Sequence, residues 1–399
     1  MRVLYLQPTG VFGGSSKSLI ECYKFLNRWH ISGTVITPKG SAVDAFKRSG
    51  FEVSEIDGIS QFDNTRIGHY RGLRWLILLR EVRYLFDSLV ILLKLRRQPF
   101  DLIHLNEITL LPLGILMKLM TGLPLIVHVR SVQNYANKTL RSKLVNRALA
   151  AHADAIICID KTVARSLAQG LEIAIVHNGM DLTDTKRLRV THKTKSGVFR
   201  VGFVGVLSPM KGIYELVRAI RILRDRGVHI ECVIAGENPR SSKGVRSYLL
   251  SKFGFSRNVR EELSQYLSLH RLEASIKLVG FIEDVSALYR SMDVLCFPSH
   301  LDAAGRPVFE AALHGVPSIV AIDSPPDDSV IHEHTGLAIP GPEPKNIADA
   351  LERLVNNSSF CRDLGRNARQ WAVSQFDAAS SAKLIRQIYR DLIHPKLES

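Results

Sequence analysis

The feature that most constrains this chain is a series of short apolar runs, each followed by a helical stretch, that stops near residue 180 and starts again at residue 200. Buried strands alternating with helices are the pattern of a parallel sheet covered on both faces. In the first half the runs are Val3 to Gln7, Gly33 to Thr37, Asp101 to Leu105, Leu125 to Val129, Ala155 to Ile159 and Ile173 to Val176. In the second half they are Arg200 to Val204, Ile230 to Ala235, Lys277 to Val279, Val294 to Phe297 and Ser318 to Ala321. Between the halves, residues 182–199 (LTDTKRLRVTHKTKSGVF) are polar, basic and poor in large apolar side chains, which reads as a linker. A chain of 399 residues exceeds one hydrophobic core, so two domains are expected, residues 1–181 and 200–375. Residues 376–399 contain a further amphipathic helix, AKLIRQIYRDLI.

The five cysteines form no C-x-x-C pair, and three lie in strand-like runs (AIICID, ECVIAG, VLCFP). This scattered set fits a reducing cytoplasm. MRVLYLQPTG is interrupted too early for a secretory signal and reads as a first strand. Ile108 to Val127 comes nearest to a membrane span, but its lysine, prolines and glycines divide it into a helix (Leu110 to Met120) and a strand (Leu125 to Val129).

Net charge is +15, and residues 1–190 carry 26 basic against 15 acidic side chains, whereas residues 191–399 carry 27 against 23. Within the basic half, residues 66–97 hold eight basic and two acidic residues among large apolar ones. The segment reads either as a peripheral surface for an anionic membrane or as a core helix with a solvated basic face. No nucleic-acid recognition module accompanies it. A second basic segment, Asn238 to Arg260, has six basic residues and no acid; it is either a solvated insertion or a grip for an anionic acceptor or membrane.

The most chemically suggestive stretch is SHLDAAGRPVFEAALHGVPSIV, Ser299 to Val320. It follows a strand and places Asp302 in a loop and Glu310 in the first turn of a helix read as Val308 to His314. Carboxylates there accept hydrogen bonds from vicinal hydroxyls, while free N–H groups at a helix start attract phosphate. On its own such a pair is equally at home on a solvated helix face. Near the amino terminus, PTGVFGGSSKSL supplies a glycine-rich strand-to-helix turn containing Gly13 and Gly14, which reads as a tight structural turn or as a phosphate or sugar cradle. It is neither a Walker loop nor a G-x-G-x-x-G motif. LIVHVRS places His128 and Arg130 at the carboxyl end of a strand, where open α/β sheets bind ligands, although a lone histidine there also serves as a structural residue.

Taken in order, these motifs resemble family 4 of the retaining glycosyltransferases, of bacterial cell-surface polysaccharide type, whose fold is GT-B. The acid pair is similar to that family's E-x7-E signature, with Asp302 in place of the first Glu. VGFVGVLSPMKG is similar to its G-R-L-x-x-x-K-G element, matching Gly205 and Lys211 but carrying Val206 where the family has Arg. VHNGMD resembles its PNGVD junction and brings in Asn178 through an Asn-Gly turn. AIDSPPDDSVIHEHT resembles its glycine-glycine loop, with Ser324 and Pro325 replacing the glycines and Asp328 at the acid position.

The resemblance implies two Rossmann-like doubly wound domains facing across a cleft, the first binding acceptor and the second nucleotide-sugar, with the carboxyl-terminal helix crossing back to the first. It implies a cytoplasmic, membrane-peripheral enzyme that moves a sugar from a UDP- or GDP-linked donor to a glycan or lipid-linked acceptor. Asp302, Glu310, His128 and Lys211 would form the catalytic set. Gly13, Gly14, Gly205, Lys211, Gly305, Arg306 and Asp328 would bind donor, with Arg306 replacing the missing arginine, and Arg130 and Asn178 would lie on the acceptor side. No metal, cofactor or nucleic acid is expected. A GT-B epimerase or phosphorylase, or a non-catalytic scaffold or binding subunit, is the alternative that the Val206, Ser324 and Pro325 departures keep open.

Overall fold

The computed structural model describes residues 1–66, 77–134, 139–182, 197–238 and 258–394. Most of the expected linker (183–196), the start of the basic segment (67–76) and most of the basic insertion (239–257) lie outside the described residues. The chain divides into two compact units, Met1–Asp181 with Phe376–Ser399, and Leu182–Gln375.

In unit 1 the strands are β1 Arg2–Leu6, β2 Ser32–Pro38, β3 Glu52–Ile56, β4 Leu102–Leu105, β5 Leu125–Val129, β6 Ala155–Cys158 and β7 Ile173–Ile175. They pair in parallel in the order β3-β2-β1-β4-β5-β6-β7. Side chains of successive strand residues leave opposite faces, so the continuous apolar runs supply two cores at once. Leu4, Leu6, Ile103 and Leu105 enter one, and Val3, Tyr5, Leu102 and Ile126 the other. The terminal helix, Ala378–Ile393, packs on the first helix, Gly14–Arg28, and buries Ala382, Ile385 and Tyr389 in the second core. Each large side chain so buried contributes roughly 1.5–3 kcal/mol.

Unit 2 repeats the plan with β8 Phe199–Val204, β9 Ile230–Ala235, β10 Ile276–Gly280, β11 Val294–Phe297, β12 Ser318–Ala321 and β13 Gly336–Ile339. The parallel order is β10-β9-β8-β11-β12-β13. Its core gathers Val201, Phe203, Cys232, Ile234, Val294 and Cys296 with helix residues such as Leu216, Ile220 and Leu351. All five cysteines are buried and free of disulfides.

Two strands escape the sequence reading, β3 and β13, and both lie at sheet edges. β3 (EVSEI) has only two apolar residues, Val53 and Ile56, which go to the two different cores, so it presents no apolar run. β13 (GLAI) is only four residues long.

The strand orders fix where ligands fit. Each sheet winds outward from an inner pair, β1 and β4 in unit 1 and β8 and β11 in unit 2, and at such a reversal the loops leaving the two carboxyl ends diverge to opposite faces. The glycine turn, LIVHVRS, VGFVGVLSPMKG, the acid pair and AIDSPPDDSVIHEHT each leave one of these strands or a neighbour of one, whereas VHNGMD follows the edge strand β7.

Candidate functional site

In unit 2, the loop after β8 runs from Gly205 to Gly212, and the loop after β11 from Pro298 to Gly305. Sterics pin them together. Gly212 has φ +72°, and a Cβ there would lie 1.8 Å from the Pro298 carbonyl oxygen, so only glycine permits the approach. The Met210 carbonyl accepts from His300 N at 3.0 Å and from Ser299 Oγ at 3.3 Å. Gly205, at φ +151°, has its carbonyl oxygen 1.8 Å from where a Cβ on Gly236 would stand.

This framework carries Lys211. Its Nζ lies 5.0 Å from the centroid of the Phe297 ring and makes no hydrogen bond or ion pair among the described residues. Burial holds its pKa below the ordinary lysine value. A partly buried ammonium facing only a ring is under-compensated, and an anion would complete it.

Phe297 also connects Lys211 to the acid pair. A Cβ on Gly305 would sit 2.5 Å from Phe297 Cζ, so that glycine lets the helix Arg306–Leu313 begin against the same ring. Pro307 near the helix start draws the first turn forward to Arg306, so the helix begins two residues earlier than expected. Glu310 is consequently its fifth residue and rides the second turn, not the first.

Both Glu310 oxygens are engaged: Oε1 with Arg306 Nε at 2.8 Å, and Oε2 with the Tyr289 hydroxyl at 3.0 Å. The ion pair is secluded, with side chains 10% and 14% exposed. Burial and the adjacent Glu310 push Tyr289 well above the usual phenol range. Arg306, the expected replacement for the arginine missing at Val206, pairs with Glu310 through its Nε. Val206 itself is 49% exposed.

Asp302 is exposed and adopts φ +50°, a left-handed conformation that aspartate tolerates better than most side chains. Asp328, by contrast, is buried in the loop that follows β12.

In unit 1, the first loop separates its glycines by role. A Cβ on Gly10 would meet the Pro38 carbonyl oxygen at 2.2 Å, a packing constraint, whereas one on Gly13 would meet only Val11 O, at 4.0 Å. Gly13 and Gly14 open the helix Gly14–Arg28, whose start is tied by Ser16 Oγ accepting from Gly13 N at 2.9 Å. The space above this turn is therefore left open, as a cradle requires.

Across β4 and β5 a polar network centres on Arg130. Its Nε donates to Asn106 Oδ1 at 2.8 Å, its Nη1 to Asn178 Oδ1 at 2.5 Å and its Nη2 to His128 Nδ1 at 3.3 Å. Asn106 in turn donates to Gln7 at 2.5 Å. His128 is 2% exposed, and its Nε2 has no hydrogen-bond partner among the described residues. Burial, with Arg130 and His104 adding to it, holds His128 well below the ordinary histidine range; burial takes His104 down to about 3. Both rings are neutral at physiological pH.

Glu107, after β4, accepts from Ile108 N at 2.9 Å and Arg130 N at 3.4 Å, yet burial pushes its carboxyl up to about 7. Asn178 joins the network, but the Asn-Gly step is not the turn expected. Gly179 is a close-packing point where a Cβ would stand 2.5 Å from Ala378 Cα.

Gln7, Asn106 and Glu107 follow β1 and β4, so strand order could have revealed them. His104 lies on β4 itself, whereas Tyr389 reaches this network, and Tyr289 reaches Glu310 in unit 2, only through tertiary packing.

The structure brings Gly13, Gly14, His128, Arg130 and Asn178 to the carboxyl edge of the first sheet. It brings Gly205, Lys211, Asp302, Gly305, Arg306 and Glu310 to that of the second. Among the described residues no group of three or more histidine, cysteine or acidic side chains is placed to hold a metal ion.

The basic helix, Ile77–Leu95, seats Leu92 and Leu95 in one core of the first sheet and carries a second apolar stripe that is exposed. It buries Glu81, which accepts from Gln61 N at 2.9 Å, while Leu79 and Phe86 are 69% and 70% exposed, in line with exposed Val82, Val90 and Leu93. Exposed Arg80, Arg83 and Lys94 flank this stripe. No helix among the described residues is long and apolar enough to cross a membrane.

Two family models match this chain in tandem, Glycosyltransferase Family 4 over residues 12–184 and Glycosyl transferases group 1 over residues 184–371. The chain belongs to family 4 of the GT-B glycosyltransferases. Among curated proteins it is 24% identical over 382 residues to YqgM of Bacillus subtilis, an uncharacterized glycosyltransferase, covering 93% of this chain and 92% of that one. It is also 24% identical over 242 residues to CapM of Staphylococcus aureus, a capsular polysaccharide biosynthesis glycosyltransferase, but that match spans only 58% of this chain and 59% of CapM. Among solved structures, Anabaena HepE in complex with UDP and glucose superposes with a TM-score of 0.72 at 19% identity, covering 97% of this chain and 98% of HepE. A glycosyltransferase from Rickettsia africae gives 0.74 at 15% identity, with 99% of each chain covered. These structures share the fold.

Proposed function

We propose that this glycosyltransferase is a retaining enzyme that moves a sugar from a UDP- or GDP-linked donor to a glycan or lipid-linked acceptor in cell-surface polysaccharide synthesis. The observation that carries this reading is Lys211, a partly buried ammonium with no acceptor among the described residues, at the switch point of unit 2 and sharing Phe297 with the helix that bears Glu310. In this reading Lys211 holds the donor diphosphate, Glu310 the ribose hydroxyls and Asp302 the sugar. Gly205, Gly305 and Asp328 line the donor side. Gly13, Gly14 and His128 meet the transferred sugar, and Arg130 and Asn178 serve the acceptor side.

The bond from the anomeric carbon to the β-phosphate oxygen breaks while the acceptor hydroxyl attacks from the same face. Its proton passes to the departing phosphate oxygen, and the nucleoside diphosphate leaves. Lys211 stabilises the charge that grows on that phosphate, so neither a protein base nor a metal ion is assigned a step. HepE, whose structure holds UDP and glucose, and CapM, named for capsular polysaccharide, support the donor and acceptor classes chosen. The exposed apolar stripe of Ile77–Leu95 with its flanking arginines supports a peripheral membrane surface for a lipid-linked acceptor.

The test is a thermal-shift screen against UDP, GDP and ADP, followed by NMR of the product formed from the stabilising nucleotide's sugar conjugate. A ligand at a hundred times its dissociation constant stabilises by about 2.7 kcal/mol. Stabilisation and a product of unchanged anomeric configuration are expected. Silence with every nucleotide would favour a scaffold, and an inverted product would overturn retention.

A further inference from the structure

The terminal helix reaches His128 through a chain of side chains whose hydrogen-bond directions can be deduced. Arg130 has only donors, so its contact with His128 Nδ1 at 3.3 Å makes that nitrogen an acceptor. A neutral imidazole then carries its proton on Nε2, the buried atom with no partner among the described residues. His104 Nε2 stands 3.3 Å from the same His128 Nδ1. Two lone pairs would repel there, so His104 carries its proton on Nε2 and accepts on Nδ1. The group 2.7 Å from His104 Nδ1 is the Tyr389 hydroxyl, which must donate. Tyr389 oxygen then accepts from Tyr5, 3.1 Å away. The chain runs one way, from Tyr5 to Tyr389, His104 and His128.

We propose that Tyr389 is a positioning residue that locks His104 in the Nε2–H form, so that His104 joins Arg130 in donating to His128 Nδ1 and holds the His128 Nε2–H donor in place for a hydroxyl of the transferred sugar. A buried donor with no partner costs about 1–3 kcal/mol, and a substrate oxygen recovers it. The inference rests on the reading that His128 meets substrate. It assigns the terminal helix a role in function besides covering the first sheet.

The test uses the full chain carrying Tyr389→Phe, which keeps the ring and removes one hydroxyl, beside Tyr5→Phe, which leaves the Tyr389 donor in place. Long-range proton–nitrogen NMR of the histidine rings reads the tautomers directly. In the wild-type protein His128 should show an unprotonated Nδ1 and a protonated Nε2, and Tyr5→Phe should preserve this. In Tyr389→Phe the His104 signals should shift toward a mixture of tautomers while His128, still bound by Arg130, stays protonated on Nε2, with kcat down about five- to tenfold, the scale of one lost hydrogen bond. UDP affinity should stay within about twofold, because UDP lacks the sugar. A wild-type His128 protonated on Nδ1 overturns the proposal, as does a Tyr389→Phe protein with unaltered tautomers and kcat. If the wild-type protein binds no nucleotide and transfers no sugar, the functional reading fails instead, and the tautomer measurement still decides the chain of hydrogen bonds.

Discussion

At the carboxyl edge of the first sheet Arg130 donates to three side chains, whereas at the matching edge of the second sheet Lys211 has only the face of Phe297 beneath it. A cation satisfied from within holds its neighbours in one arrangement. One left unsatisfied, and partly desolvated, lowers stability until an anion arrives. The units thus divide the work: unit 1 orders side chains in advance, and unit 2 retains electrostatic capacity for a ligand. Arg306 sharpens the contrast, because it follows Gly305, which packs against the same ring as Lys211, yet it pairs with Glu310.

The contrast breaks most visibly at Lys211. Replacing it with Ala should lower kcat/KM for the nucleotide-sugar by roughly a hundredfold, combining a lost charge-assisted contact with lost leaving-group stabilisation. The unliganded protein should melt no earlier than wild type, since the charge removed had no partner; an early melt with normal turnover would reverse the assignment.

Arg130→Ala should do the opposite in kind. Losing three donated bonds should cost about 2–4 kcal/mol, seen as a drop in Tm, and Arg130→Lys should recover little because an ammonium cannot reproduce the fork.

A smaller effect concerns Glu310. If it reads ribose, wild type should prefer UDP over its 2′-deoxy analogue by about tenfold, the worth of a hydrogen bond to a charged group. Glu310→Gln should narrow that gap, and titration calorimetry with the two ligands measures it.

The smallest effect is a pH dependence. Glu107 has its folded pKa raised to about 7, so its stabilising contribution is complete below the unfolded value near 4.5 and is lost as pH rises through 7. His104 runs the other way, its folded pKa of about 3 making stability fall as pH drops below the unfolded value near 6.5. Glu107→Gln should therefore gain Tm relative to wild type between pH 5 and pH 8; a gap independent of pH would contradict the raised pKa.

Much of this was legible from the chain, because inner strands of parallel sheets must be apolar along their length. β5 falls where LIVHV does, and β11 where VLCF does. Edge strands such as β3 escape because polar residues, here Glu52, Ser54 and Glu55, are tolerated at the rim of the sheet and interrupt the apolar run. The candidate residues were legible where a local rule applies, as at Lys211-Gly212 or the acid pair. Their partners were not. Tyr389 lies 285 residues from His104 and Tyr289 lies 21 from Glu310, and no spacing rule relates residues joined only by packing. Helix phase failed at one point, Glu310, because Pro307 starts the helix early. The face of Ile77–Leu95 was undecidable from composition, since both faces of that helix are rich in apolar residues.

The central claim is that Lys211 is held in reserve for the second phosphate of the donor. Titrating wild type and Lys211→Met with UDP and UMP, or with the guanine pair if that base binds, isolates that phosphate. The account predicts that wild type binds the diphosphate at least about tenfold tighter and that the ratio collapses toward one in Lys211→Met. An equal ratio in the two proteins would contradict it.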